Sequence, residues 1–334
     1  MIKKITVEKA LTLQNSLLID ARSPKEYHED HLQGAINLPL LNDQERHEVG
    51  LIYKQISREK AIEKGMHYFA PKVPTIYNVV KNHSQKNIVL YCARGGMRSG
   101  IIASLLDSLG FKVYQIEGGY KSFRNYMVKT LYNFPLKPKV VVLWGLTCTG
   151  KTALLHQLPN SLDLEELAQH RGSLMGHLGL QSNSQKKFEN LLLQRLQELN
   201  REEAIFIEGE SRRIGDVIIP EFLYKAMLSG TPVLVTRSLQ KRVEAMSEEY
   251  FKSEHLEEIK KIVKEFSRLL SNKQKSEIIK FIDETENLEA AKIILQYYYD
   301  PLYEHTLKNF KFVHEVNNDD VRKAVKDLKT KVLT

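Results

Sequence analysis

The 334-residue chain carries 49 Lys and Arg against 41 Asp and Glu, a net charge of +8 and a pI near 9.1. With 42% apolar and 27% charged residues and no low-complexity tract, it is neither a disordered nor a fibrous protein. One hydrophobic core seldom grows past about 250–300 residues, so two folded domains are expected. The start, MIKKITVEKALTLQNS, lacks the apolar stretch of a signal peptide, and the longest apolar run, Val140–Trp144, is far too short to cross a bilayer. A cytoplasmic protein with no membrane partner is expected. The basic excess favours an anionic partner without specifying one.

In chain order, Leu17–Asp20, Ile88–Cys92 and Lys112–Ile116 are β-rich runs, and Gly100–Leu109 repeats its apolar residues at helical spacing. That alternation predicts an α/β domain with a parallel sheet. The proline- and lysine-containing stretch Asn133–Lys139 is an exposed connector, which sets domains at 1–134 and 135–334. Beyond it Val140–Trp144 is a buried strand, Thr152–Gln157 begins a helix, and Ala204–Glu208 and Pro232–Thr236 are further strands of a second parallel sheet. From Ser253 the pattern turns helical, with Leu256, Ile259, Val263, Phe266 and Leu270 on one core-facing stripe.

Only two cysteines occur, Cys92 and Cys148, too distant in sequence to suggest a disulfide in a reducing compartment. Cys92 directly follows a strand, and Arg94, Gly95, Gly96, Arg98 and Ser99 lead from it into a helix. Backbone N–H groups of a glycine-rich turn at a helix N-terminus converge on one point and favour negative charge there, so the turn cradles a thiolate or an anion. Arg94 and Arg98 are expected to lower the thiol pKa further and to hold a tetrahedral oxyanion by forked hydrogen bonds. The Asp20–Pro39 stretch offers polar groups that can knit a loop. These segments, with Ile116-Glu-Gly-Gly-Tyr120, resemble the rhodanese family. Five residues separate Cys92 from Arg98, one more than in the common rhodanese loop, and this spacing also matches phosphatase loops of the Cys-x5-Arg type. A phosphatase reading stays open, although Tyr91 stands where phosphotyrosine enzymes place a histidine. The wider loop gives room for a phosphoryl-bearing chalcogen donor.

Gly145-Leu-Thr-Cys-Thr-Gly150-Lys151-Thr152 fits the phosphate-loop pattern at every fixed position, between a strand and a helix. Gly145, Thr147, Gly150, Lys151 and Thr152 are the expected phosphate contacts, with Lys151 reaching the outer phosphate. Cys148 is a small residue tolerated at a variable position. Strand Ala204–Ile207 leads to Glu208 and Glu210 at the sheet edge, and Thr152 with Glu208 are the candidate Mg²⁺ ligands. An ordinary nucleotidase would place an aspartate there, which argues against simple ATP hydrolysis.

The cysteine loop fused through a short linker to a phosphate loop is similar to the tRNA 2-selenouridine synthase family. Further segments agree: Glu45–Lys54, His170–Ser173, Gln185–Asn190, Glu208–Gly215 and Tyr299-Asp300-Pro301. The resemblance implies a transferase acting on tRNA with wobble 2-thiouridine, exchanging sulfur for selenium with selenophosphate as donor. It also implies S-geranylation from geranyl diphosphate, with the phosphate loop holding the diphosphate and the Cys92 loop serving the selenium step. No tightly bound organic cofactor is expected. His170, Arg171, Lys186, Lys187, Arg212 and Arg213 are the candidate tRNA-phosphate contacts. The alternative is a rhodanese- or phosphatase-type domain fused to a small-molecule kinase.

Overall fold

Residues 2–266 and 269–332 are described by the computed structural model, which divides into two units, Met1–Asn133 and Phe134–Thr334. In the first unit β1 (Lys3–Ile5), β2 (Ser16–Asp20), β3 (Ile36–Asn37), β4 (Asn87–Tyr91) and β5 (Val113–Ile116) form a parallel sheet in the order β1-β5-β4-β2-β3. Strand β4, NIVLY, is central, and its last four residues are buried. A strand covered by helices on both faces reads as a continuous apolar run rather than an alternation. Helix Met97–Ser108 leaves the end of β4 through the Cys92 loop, and helix Gly119–Tyr132 leaves the end of β5 beside it.

In the second unit β6 (Lys139–Trp144), β7 (Ser161–Leu162), β8 (Ala204–Glu208), β11 (Thr231–Thr236) and β12 (His314–Asn317) make a parallel sheet, with a short antiparallel ribbon of β9 (Arg213–Ile214) and β10 (Val217–Ile218) outside it. The sheet order is β12-β11-β6-β8-β7. The chain passes from β6 to the edge strand β7, returns to β8 beside β6, and then crosses to β11 and β12 on the other side, so the crevice at the carboxyl end of β6 is a topological switch point, where α/β sheets bind ligands. The expected stripe Ile259, Val263, Phe266 and Leu270 is buried in a separate helical core with Met246, Ile278 and Ile294, and Leu256 packs against it. One helix of that core opens into a π-helical turn at Leu295–Tyr299, just before Pro301. Proline has no N–H for the usual i−4 bond, and a π turn absorbs the mismatch while changing which side chains face inward.

The six expected strands are all present within one residue at each end. The strands that the sequence did not suggest are β1, β3, β7, the β9–β10 ribbon and β12, each two to four residues long. Such short pieces owe their extended form to pairing, with no local pattern long enough to show periodicity. No helix among the described residues is long and apolar enough to cross a membrane.

Candidate functional site

Cys92 is buried at the carboxyl end of β4. Its sulfur accepts the Gly96 N–H at 3.3 Å and the Ser99 hydroxyl at 3.2 Å. Burial alone would push the thiol pKa up. The Ser99 hydroxyl, the backbone N–H groups of Ser99 and Arg94, and the Arg98 charge outweigh burial and hold it below the ordinary thiol range. Gln115 on β5, which the sequence did not single out, fastens the loop: its amide donates to the Gly95 and Gly96 carbonyls and, at 2.8 Å, to the Ser99 hydroxyl.

The Ile116–Tyr120 motif closes the loop from behind. Tyr120 and Lys121 N–H groups donate to the Cys92 and Ala93 carbonyls at 2.8 and 3.0 Å. A Cβ on Gly119, at φ +59°, would lie 2.1 Å from the Cys92 carbonyl oxygen, so only glycine lets the two turns approach. The Asp20–Asn37 loop is knit by a buried Asp20–Arg22 pair at 2.6 Å, with Arg22 also donating to the Asp30 carbonyl and lying 3.9 Å from the centre of the Tyr120 ring. Asn37 donates to the Asp20 and Arg22 carbonyls.

The two loop arginines differ from the expectation of a matched anion clamp. Arg94 is exposed, and its backbone rather than its guanidinium reaches the sulfur. Arg98 donates to Glu26 at 2.6 Å, and Arg46 lies 3.0 Å from the same carboxylate. Arg98 is therefore not free to fork an oxyanion in this arrangement. The trio keeps one net positive charge beside the cysteine.

The phosphate loop follows β6. An added Cβ at Gly145 would lie 2.4 Å from the Val235 carbonyl, and Gly150 adopts φ +78°. Lys151 donates to the Gly145 carbonyl at 3.2 Å, folded back over the loop. Two residues the sequence did not single out hold the loop. Asn318 donates to the Thr149 and Gly150 carbonyls at 2.8 and 3.1 Å, and Arg242 donates to the Thr147 carbonyl at 2.9 Å. Asp300 of the Tyr-Asp-Pro segment takes the Arg242 guanidinium by both oxygens. Cys148 sits at φ +62°, where glycine is at ease, and burial pushes its thiol up to about 12, which leaves it inert.

Thr147, Gly150, Lys151, Thr152, Glu165 and Glu210 line a polar cavity of about 260 Å³ with Arg171, Arg237 and Glu249. Glu208 does not line it, which corrects its assignment to the metal side. Its Oε1 accepts the Leu164 and Glu165 N–H groups at 2.6 and 2.9 Å, so the fully buried carboxyl caps the start of helix Leu164–Ala168. Burial, then Asp163 and Glu165, push it well above the usual carboxylate range. Glu165, whose position the motif did not reveal, and Glu210 line the cavity together with Glu249 and are joined to each other by a hydrogen bond. Burial pushes both up; the Glu210 charge raises Glu165 further, while Lys151 lowers both and the shared bond lowers Glu210. With the Thr152 hydroxyl they make an all-oxygen donor set of the kind Mg²⁺ takes.

Two of the six candidate tRNA contacts are also corrected. His170 is buried, with its ring against Gly176 and Gly215, and burial together with His177 lowers its pKa, so it carries no charge for a phosphate. Arg171 turns toward the phosphate-loop cavity and pairs with Glu249 at 2.5 Å. Lys186 and Lys187 open helix Gln185–Leu199, while Arg212 and Arg213 are exposed at the β9–β10 ribbon. The Gln185 amide and Ile218 backbone bond each other at 2.7 and 3.0 Å, which brings these two elements side by side.

Comparison with known proteins agrees with this two-part anatomy. Residues 6–126 match the rhodanese-like domain, and residues 138–280 match the tRNA 2-selenouridine synthase AAA domain. A tRNA 2-selenouridine synthase of Nitrosomonas europaea is 32% identical over 88% of this chain and 90% of its own. That of Hydrogenovibrio crunogenus is 31% identical over 89% and 91%, and that of Pseudomonas syringae pv. tomato 38% over 72% and 68%. With a thiolate loop, a phosphate loop and this similarity along nearly the whole length, the chain belongs to the tRNA 2-selenouridine synthase family.

Proposed function

We propose that this chain exchanges the sulfur of wobble 2-thiouridine in tRNA for selenium in two steps served by two different anion sites. In the first, the thiocarbonyl sulfur forms a bond to C1 of a geranyl group, the C1–O bond breaks, and diphosphate leaves with that electron pair while the base gives up its N3 proton. The phosphate loop and Lys151 suit the leaving group, because fixed N–H dipoles and a cation favour charge that develops there. A Mg²⁺ ion held by Thr152, Glu165 and Glu210 would offset the same charge.

In the second step the selenium of selenophosphate adds at C2 and the geranylated sulfur departs as geranylthiolate with the C2–S pair; water then attacks phosphorus, the P–Se bond breaks with its electron pair left on selenium, and inorganic phosphate is released. The depressed thiol pKa of Cys92 suits this step, since a thiol acts as a nucleophile only when it is ionised near neutral pH. The observation that carries the reading is the presence of two anion cradles of different chemistry, one ending in a thiolate and one in a lysine. Lys186, Lys187, Arg212 and Arg213 supply tRNA-phosphate contacts on this reading. The test is nucleoside mass spectrometry of thiouridine-bearing tRNA after incubation with the protein, geranyl diphosphate and selenophosphate. Selenouridine is expected, and unchanged thiouridine alone would refute the reading.

A further inference from the structure

Next to the phosphate-loop cavity lies a second cavity of about 570 Å³, and the two share Ser173, Glu210 and Tyr303. Its walls are apolar and aromatic: Trp144 at the end of β6, Phe310 stacked on it at 4.2 Å between ring centres, and Tyr298 and Tyr299 from the π turn. Leu174, Leu228 and Leu302 also line it, and they are 56%, 47% and 44% exposed. Gly209 makes this wall feasible, because a Cβ there would lie 2.3 Å from the Trp144 ring.

A polar, cation-bearing chamber opening into an apolar one of this size matches a ligand with an anionic head and a hydrocarbon tail. We infer that the cavity lined by Trp144, Phe310, Tyr298 and Leu302 binds the prenyl chain of an allylic diphosphate whose head group lies on the phosphate loop. This rests on the diphosphate assignment made above and adds the site that selects the chain. A flipped nucleobase would also stack on Trp144. Continuity with the phosphate loop favours the prenyl tail, which is covalently tied to the head group. The first unit holds another apolar cavity, of about 490 Å³, lined by Leu41, Val49, Met66 and Met97 together with Arg98 of the cysteine loop.

Trp144 is the only tryptophan and reports directly on the proposed site. Its fluorescence is followed while the full-length protein is titrated with inorganic diphosphate, dimethylallyl diphosphate or geranyl diphosphate. Five added carbons should tighten binding by roughly ten-fold or more, given the gain from each buried methylene. Leu302→Gln, at an exposed position, should lose about ten-fold for geranyl diphosphate and stay within about two-fold of the parent for inorganic diphosphate. Met66→Gln in the other cavity should change neither.

Geranyl diphosphate binding no tighter than inorganic diphosphate would overturn the inference while leaving the diphosphate site standing. So would a loss caused by Met66→Gln but not by Leu302→Gln, or displacement of geranyl diphosphate by 2-thiouridine nucleoside with inorganic diphosphate still bound. If inorganic diphosphate failed to bind, or bound Lys151→Ala equally well, the underlying head-group assignment would fall and the inference with it.

Discussion

The Ser99 hydroxyl donates to the Cys92 sulfur at 3.2 Å and is itself held by Gln115 at 2.8 Å, so the thiolate is stabilised by a group fixed from the neighbouring strand. A hydrogen bond to a charged acceptor is worth roughly 1.5–3 kcal/mol. Ser99→Ala should move the midpoint of the Cys92 alkylation rate against pH upward by about 1–2 pH units, at ~1.36 kcal/mol per unit. The sign follows from the lowered pKa: the parent thiol is already ionised below the ordinary thiol range, and the variant loses reactivity first at neutral pH. Cys148, pushed up to about 12, serves as the unreactive control in the same iodoacetamide time course. An unchanged profile in Ser99→Ala would show that the hydroxyl does not set the thiol pKa.

Glu208 is a helix cap with a carboxyl that burial pushes up, which favours its neutral form. Glu208→Gln keeps the accepting oxygen. Its melting temperature at pH 8 should equal or exceed that of the parent, and the gain should shrink as pH falls through the ordinary carboxylate range, where both side chains are neutral. A metal-ligand role would instead show as weakened Mg²⁺ binding with stability unchanged.

Arg242 joins the phosphate loop to Asp300, and its side chain is only 5% exposed. Asp300→Ala leaves that charge buried without a partner, which should cost about 3–5 kcal/mol in urea unfolding. Diphosphate affinity should fall as well, because the Thr147 carbonyl loses a fixed donor. Asp300→Asn should recover part of both. Full stability in Asp300→Ala would mean that Arg242 finds another partner.

The basic residues at the start of helix Gln185–Leu199 and at the β9–β10 ribbon make a separate prediction. Replacing Lys187 and Arg212 together by alanine should weaken tRNA binding and reduce the slope of log affinity against log salt by about 1–2, one counterion per lost phosphate contact. His170→Gln should leave that slope alone, because the ring is buried. Equal slopes for all three proteins would place the tRNA elsewhere.

The central strands and both glycine loops were legible in the sequence because each depends on a short contiguous run: β4 into Cys92 and Gly95–Gly96, β6 into Gly145–Thr152. What supports those loops was not. Gln115, Asn318 and Arg242 act across 16 to 169 residues of chain, and an isolated Gln, Asn or Arg has no local signature for such a contact. Glu208 and His170 were misassigned for the converse reason. A strand-end carboxylate or a His-Arg pair looks functional in sequence, but burial decides whether it faces a ligand or the core.

The division of labour between the two loops is tested most directly by comparing Cys92→Ser with Lys151→Ala in one assay. Thiouridine-bearing tRNA, geranyl diphosphate and selenophosphate are supplied to each, and thio-, geranylthio- and selenouridine are quantified by mass spectrometry. Lys151→Ala should lose roughly 10²–10³ in geranylation, the cost of one preorganised charge contact at a leaving group. Cys92→Ser keeps the phosphate loop intact but offers a hydroxyl that stays protonated near pH 7, so it should accumulate geranylthiouridine and make little selenouridine. Wild-type selenouridine formation by Cys92→Ser, or normal geranylation by Lys151→Ala, would contradict the assignment of one anion site to each step.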